Sequence, residues 1–176
     1  MLFRSVEEGR IVSTLTTHVF GEAPSRAQRR VAAGDILMST VRPNLLGFAR
    51  ITNLHSDCVA STGFAVLSAK SGFNSDYLYH YLFSAHIVGQ LNALVVGSNY
   101  PAISSSDVEG LVIYCPSFEK QQEISKIFNA EDVALLNLRG QLNRLREQKK
   151  SLMQQLLTGK RRVKVKESTE PLFVIG

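Results

Sequence analysis

Apolar residues along this chain follow two rules. Up to about residue 115 they come in short runs interrupted by glycine, proline and asparagine. After Cys115-Pro116-Ser117 no proline occurs until Pro171, and the apolar positions become periodic. Leu135, Leu138, Leu142, Leu145, Lys149, Leu152 and Leu156 alternate spacings of three and four. This is a heptad seam with Leu135, Leu142, Lys149 and Leu156 at a, and Leu138, Leu145 and Leu152 at d. Polar residues surround the stripe, among them Arg139, Gln141, Asn143, Arg144, Arg146, Glu147, Gln148 and Lys150. A lone helix would leave the leucines wet, so a partner helix is expected; the other reading is a helix buried in a globular core. Lys149 at an a position lowers stability but can fix register or partner. The helix is expected from about Glu119 to Thr158, with Ser117 as N-cap and Gly159 at the C-terminal cap.

The first part reads as short strands with helices behind them, an α+β domain. Gly34-Asp35 marks a turn before the β-branched run Ile36–Val41. Arg42-Pro43-Asn44 breaks that run, and Leu46–Ile51 reads as the returning strand. Cys58–Leu67 supplies one or two further strands, with Gly63 at a bulge or close approach. Asn74 or Ser75 caps a helix expected from Asp76 to Leu91. Its Tyr77, Tyr79, Tyr81 and Phe83 wrap around the axis and so read as packing residues rather than a base-stacking platform. Ser106 to Glu109 fits a capping box, and Leu111–Cys115 a last strand. The sheet is expected to be small and mixed.

Charge changes the picture in two places. The chain carries 20 basic and 15 acidic side chains. Between Arg139 and Lys166 ten residues are basic and only Glu147 is acidic, so the helix end and tail hold the excess. Arg26, Arg29, Arg30, Arg42 and Arg50 form a second cluster, faced by Asp35 alone. Such patches favour polyanions through counterion release, and equally describe a solvated helix face.

The chain lacks the marks of several other classes. No apolar run is long enough for a membrane span, and no signal peptide is visible. Two cysteines, Cys58 and Cys115, suggest a reducing compartment, the cytoplasm. His18, His55, His80 and His86 show no close pairing with cysteine, so neither metal nor other cofactor is expected. Ser117-Phe-Glu-Lys120 matches S-x-x-K literally but without companion motifs, and no phosphate-cradling glycine loop is present. No catalytic residue is assigned.

Several segments in order resemble one family. They are Ser25–Val31, Gly34–Asn44, Ser61–Leu67, Tyr100–Ser104, Ile113–Ile124 and Lys149–Arg162. Together they are similar to the target recognition domain and conserved spacer helix of type I restriction-modification DNA specificity subunits. That resemblance covers roughly residues 25–165. It implies a non-catalytic protein that reads half of a split site on double-stranded DNA. It also implies that the helices pair antiparallel and dock methyltransferase and restriction subunits. Here it predicts a recognition domain over 1–116, a spacer and dimerisation helix over 117–159 and a basic tail over 160–176. One domain with one helix is a half-subunit, expected to pair with itself or with another half. The segment before Gly34 is shorter than the family's usual opening. The residues expected at DNA are Arg26, Arg29, Arg30, Arg42, Asn44, Ser98, Asn99 and Tyr100. The competing expectation is an interaction protein that pairs through its helix and contacts no bases.

Overall fold

The computed structural model describes residues 6–7, 9–11, 18–19, 22–55, 58–95 and 101–163. The chain divides into two compact units, Met1–Asn129 and Ala130–Gly176. Among the described residues of the first there are seven short strands and three short helices, followed by the opening of a long helix that runs on into the second. The strands are β1 (Val6–Glu7), β2 (Arg10–Ile11), β3 (Ala27–Arg30), β4 (Ile36–Ser39), β5 (Phe48–Arg50), β6 (Val59–Ser61) and β7 (Phe64–Leu67). The helices are α1 (Ser75–Tyr81), α2 (Ala85–Leu94), α3 (Ser105–Glu109) and α4 (Phe118–Leu157).

Among the described residues three small sheets form: β1 with β2, β3 with β6, and β5-β4-β7. Every ladder among the described residues is antiparallel, so the α+β class holds while the expected mixed sheet does not. The alternation of strand side chains explains the core. Ile36 and Met38 of β4 enter a cluster with Phe48, Leu78, Leu82, Ile87 and Leu91. Leu37, between them, faces the opposite way into a second cluster with Val31, Ile51, Ala60 and Phe64. β4 is therefore buried on both faces, which is why its sequence runs apolar without alternation. The aromatic series packs as expected: Tyr79 donates its hydroxyl to Gly9 O at 2.8 Å, and Phe83 meets Phe48 edge to face. Gly34, at φ 91°, makes the turn before β4. Asp35 then closes it, accepting from the Ala32 amide at 2.7 Å and the Ser68 hydroxyl at 2.6 Å.

Three local expectations are corrected. The helix foreseen from Asp76 to Leu91 is two helices. The chain leaves helical geometry at Ser84, whose Oγ accepts from the Ile87 amide at 3.3 Å and starts α2. Serine can supply that alternative partner to the backbone, so it interrupts what periodicity alone would continue. The capping box lies two residues earlier, at Ser104 and Asp107. Leu111–Cys115 is not a strand. Leu111 and Ile113 pack on the core, but the backbone of Val112 pairs with the Gln90 carboxamide, giving at 2.8 Å and receiving at 2.9 Å. Tyr114 O accepts the Tyr77 hydroxyl at 2.7 Å. With Val112 and the Tyr114 carbonyl met by side chains, and the Leu111 amide by Val108 O, the segment joins no ladder.

α4 is the single helix expected from the heptads. Its opening turns are anchored by a buried polar set. Gln121, fully buried, accepts from the Asn74 amide at 2.9 Å and donates to Pro116 O at 2.9 Å. Ser125 Oγ donates to Gln121 O at 2.7 Å and also lies 3.0 Å from Asn74 Oδ1. Asn74 meanwhile caps α1 by accepting from the Tyr77 amide at 2.8 Å. In the second unit the seam leucines 135, 138, 142, 145, 152 and 156 are between 42 % and 61 % exposed. Gly159, at φ 70°, follows the helix end. None of the described helices is long and apolar enough to cross a membrane.

Candidate nucleic-acid interface

The loop from Val41 to Gly47 is built from the strand that precedes it. Ser39 ends β4 by donating its amide to Gly47 O at 3.0 Å, and its hydroxyl reaches Val41 O at 2.7 Å. A Cβ on Gly47 would come within 3.1 Å of Ser39 Cβ, so the loop closes tightly there. Thr40 donates its amide and hydroxyl to Gly63 O at 2.9 and 3.0 Å. Val41 bridges Ala102, and the Arg42 amide donates to Pro101 O at 2.7 Å. Pro43, buried, then opens a 3-10 turn over Pro43–Leu45.

Both residues flanking that turn are left-handed and neither is glycine: Arg42 at φ 50° and Leu46 at φ 52°. Each such residue costs about 1–2 kcal/mol. The surrounding hydrogen bonds hold the strain, and strain of this kind gathers at functional sites. Its result is an outward-facing apex. Arg42 and Asn44 are exposed, Leu45 is 69 % exposed, and Leu46 turns back onto the core.

Arg26 comes to the same end of the sheets. Its carbonyl accepts from the Thr62 amide at 2.9 Å, and the adjoining Gly63 is the residue bonded to Thr40. The turn before β3, the β6–β7 turn and the Val41–Gly47 loop thus adjoin. Arg29 and Arg30 lie further along β3, opposite Ala60 and Val59. At about 3.3 Å per residue Arg30 is roughly 13 Å of strand beyond Arg26. Arg29 is half-buried and Arg30 exposed. Ser98, Asn99 and Tyr100 fall outside the described residues.

Arg50 does not belong to the basic patch. Its Nη1 donates to Asp76 Oδ1 and, at 2.8 Å, to Asn129 Oδ1, while the guanidinium lies 4.4 Å above the Tyr79 ring. Asn129 Nδ2 donates to Asp76 Oδ2 at 2.8 Å, and His80 Nε2 sits 3.0 Å from Asn129 Oδ1. Phe128 stacks on His80 with centroids 5.1 Å apart. Burial alone would raise the Asp76 carboxyl; hydrogen bonds from Asn129 and Arg50, with the charges of Arg50 and His80, outweigh it and hold the group below its ordinary 3.8. The network joins residues up to 79 apart, so no spacing in the sequence signals it. Among the described residues no group of histidine, cysteine and carboxylates could hold a metal ion.

Small antiparallel sheets on short helices, a strained loop with an arginine and an asparagine at its tip, and a heptad-bearing helix define an α+β domain with a coiled-coil-type appendage. The chain belongs to the family described as the type I restriction modification DNA specificity domain, whose profile matches residues 21–147. The MjaX type I restriction enzyme specificity subunit of Methanocaldococcus jannaschii is 30% identical over 107 residues, 61% of this chain and 25% of that protein. The crystal structure of the HsdS subunit from Thermoanaerobacter tengcongensis superposes with a TM-score of 0.67 at 28% identity, covering 85% of this chain and 39% of that one. A chain from a structural study of complex assembly and conformational transition of the type I R-M system gives 0.63 at 31% identity, covering 86% and 38%. The chain therefore spans a quarter to two fifths of the length of these relatives.

Proposed function

We propose that this chain reads one half of a split sequence on double-stranded DNA as a non-catalytic, cytoplasmic specificity half-subunit. In this reading the Val41–Gly47 loop and Arg26 face the DNA. Arginine suits guanine edges and phosphates, and asparagine suits adenine edges. α4 pairs antiparallel with the same helix of a second copy or another half-subunit, and carries methyltransferase and restriction subunits. The observation that supports it best is the adjoining of Arg26 and the Arg42–Asn44 loop at one end of the sheets.

A second reading, an interaction protein that reads no bases, draws on the exposed leucine seam alone. Co-expression with the cognate methyltransferase subunits, followed by methylome sequencing, separates the two. Methylation at a defined split site supports base reading. A stable complex with no sequence-dependent methylation supports the interaction protein.

A further inference from the structure

We propose that Leu45 reads a base, its side chain packing against the 5-methyl group of a thymine in the major groove beside an adenine edge met by Asn44. The inference rests on the DNA-reading function above and adds to it a residue and the base feature it senses.

Leu45 and Leu46 are adjacent and chemically identical, yet the loop treats them oppositely. Leu46 lies against the core and Leu45 stands 69 % exposed. Two left-handed residues and a buried proline hold them so, and the turn is closed by Leu45 N to Arg42 O and Leu46 N to Pro43 O, each 3.0 Å. The strained residues flank the turn on both sides, so Leu45 is held at its apex while Leu46 returns to the core. Exposure by itself proves little, because Leu54 is 88 % exposed. Leu54 sits in the Asn53–His55 turn, past β5 and beside Ile51, which pairs with Gly34 before β4. That is the other end of the sheet from Arg42. Location separates the two leucines: Leu45 directly follows exposed Asn44 and lies three residues from exposed Arg42, and Leu54 has neither beside it.

The neighbours also select the mode of contact. In the major groove an A·T pair offers adenine N6 and N7 to a carboxamide, and thymine offers an apolar methyl. Asn44 and Leu45 are one residue apart on a single tight turn and present that pair of chemistries together. An apolar wedge between base steps is the other use of an exposed leucine at DNA. A wedge would sense unstacking rather than the methyl group.

The test uses the full chain co-purified with its methyltransferase subunits, on duplexes carrying its methylome-defined half-site. Each thymine of the half-site is replaced in turn by deoxyuridine, which removes only the 5-methyl group, and binding is read by fluorescence anisotropy. One position is expected to weaken wild-type binding by about fourfold, the worth of one buried methyl. Leu45→Ala should lose that sensitivity while keeping its thermal midpoint, and Leu54→Ala should retain it. A half-site without any A·T pair overturns the proposal. So does wild-type binding indifferent to every deoxyuridine, or Leu45→Ala binding that still senses the same one. Position-dependent 2-aminopurine fluorescence without deoxyuridine sensitivity would assign Leu45 to a wedge instead. A complex with no sequence preference at all sinks the parent reading, and Leu45's role with it.

Discussion

Asn129 donates its carboxamide to Asp76 across 53 residues of chain, at 2.8 Å, and the same carboxylate pairs with Arg50. Replacing Asp76 by asparagine leaves Arg50 without its counter-charge. The partners are 28 % and 37 % exposed, so the expected loss at neutral pH is modest, about 1 kcal/mol. Asp76 ionises below its ordinary 3.8 in the folded chain, so as pH falls the unfolded state takes up that proton first. Its contribution is complete above about pH 3.8 and disappears as pH drops through the lower folded value. Urea unfolding of wild type and Asp76→Asn should therefore differ at pH 7 and converge in strong acid. A gap that stays constant with pH would assign the loss to shape alone.

Gln121 is the buried polar residue on which the opening of α4 depends. Leucine has its size but offers nothing to the Asn74 amide or to Pro116 O. An orphaned buried group costs about 1–3 kcal/mol, so Gln121→Leu should lower stability by about 2 kcal/mol. The urea midpoint should fall with its slope unchanged. Wild-type stability in this variant would mean that water replaces the carboxamide.

Arg42 should trade stability against function. Glycine at φ 50° relieves about 1–2 kcal/mol of strain and adds unfolded-state entropy worth somewhat less. Arg42→Gly is expected to keep or slightly raise the thermal midpoint while binding cognate and random DNA with a smaller ratio. Arg42→Ala separates the two roles of the side chain. Relaxed specificity at one position means a base contact, and uniform weakening means phosphate. Unchanged affinity for both DNAs would leave Arg42 with the turn alone.

The seam makes its own prediction. Aspartate at Leu142 and Leu145 puts charge at one a and one d position, where pairing would require desolvating it. Analytical ultracentrifugation should show the wild type as a dimer, or in complex, and the double variant as a monomer. Equal masses for the two proteins would remove the seam from assembly.

The proposed function makes the helix a ruler. About 28 residues from Ala130 to Leu157 span roughly 42 Å, and one duplex turn is about 34–36 Å. Two identical copies related by a two-fold axis require inverted half-sites, so a homodimer should recognise a split palindrome. Deleting one heptad, Leu138 to Arg144, keeps the seam in phase and shortens the helix by about 10 Å. Methylome sequencing should then find the same half-sites at a new separation. One asymmetric, unsplit target for the chain acting alone would rule the symmetric arrangement out.

Features that depend on local pattern were legible in the residues alone. The leucine spacing specified α4, because a helix repeats its faces regardless of what packs on them. Pro116 and Gly159 marked its ends through the donor proline lacks and the left-handed backbone glycine tolerates. Gly34 and Pro43 likewise placed the turns on either side of β4. Tertiary structure decided what depends on partners distant in the chain. Leu111–Cys115 has the composition of a strand, but Gln90 and Tyr77 met its backbone before any neighbour strand could. Arg50 read as one of five clustered arginines until Asp76 and Asn129 claimed it. The opposite fates of Leu45 and Leu46 have no counterpart in their side chains. They follow from two left-handed dihedrals, which the hydrogen bonds of Thr40 and Arg42 to Gly63 and Pro101 hold in place.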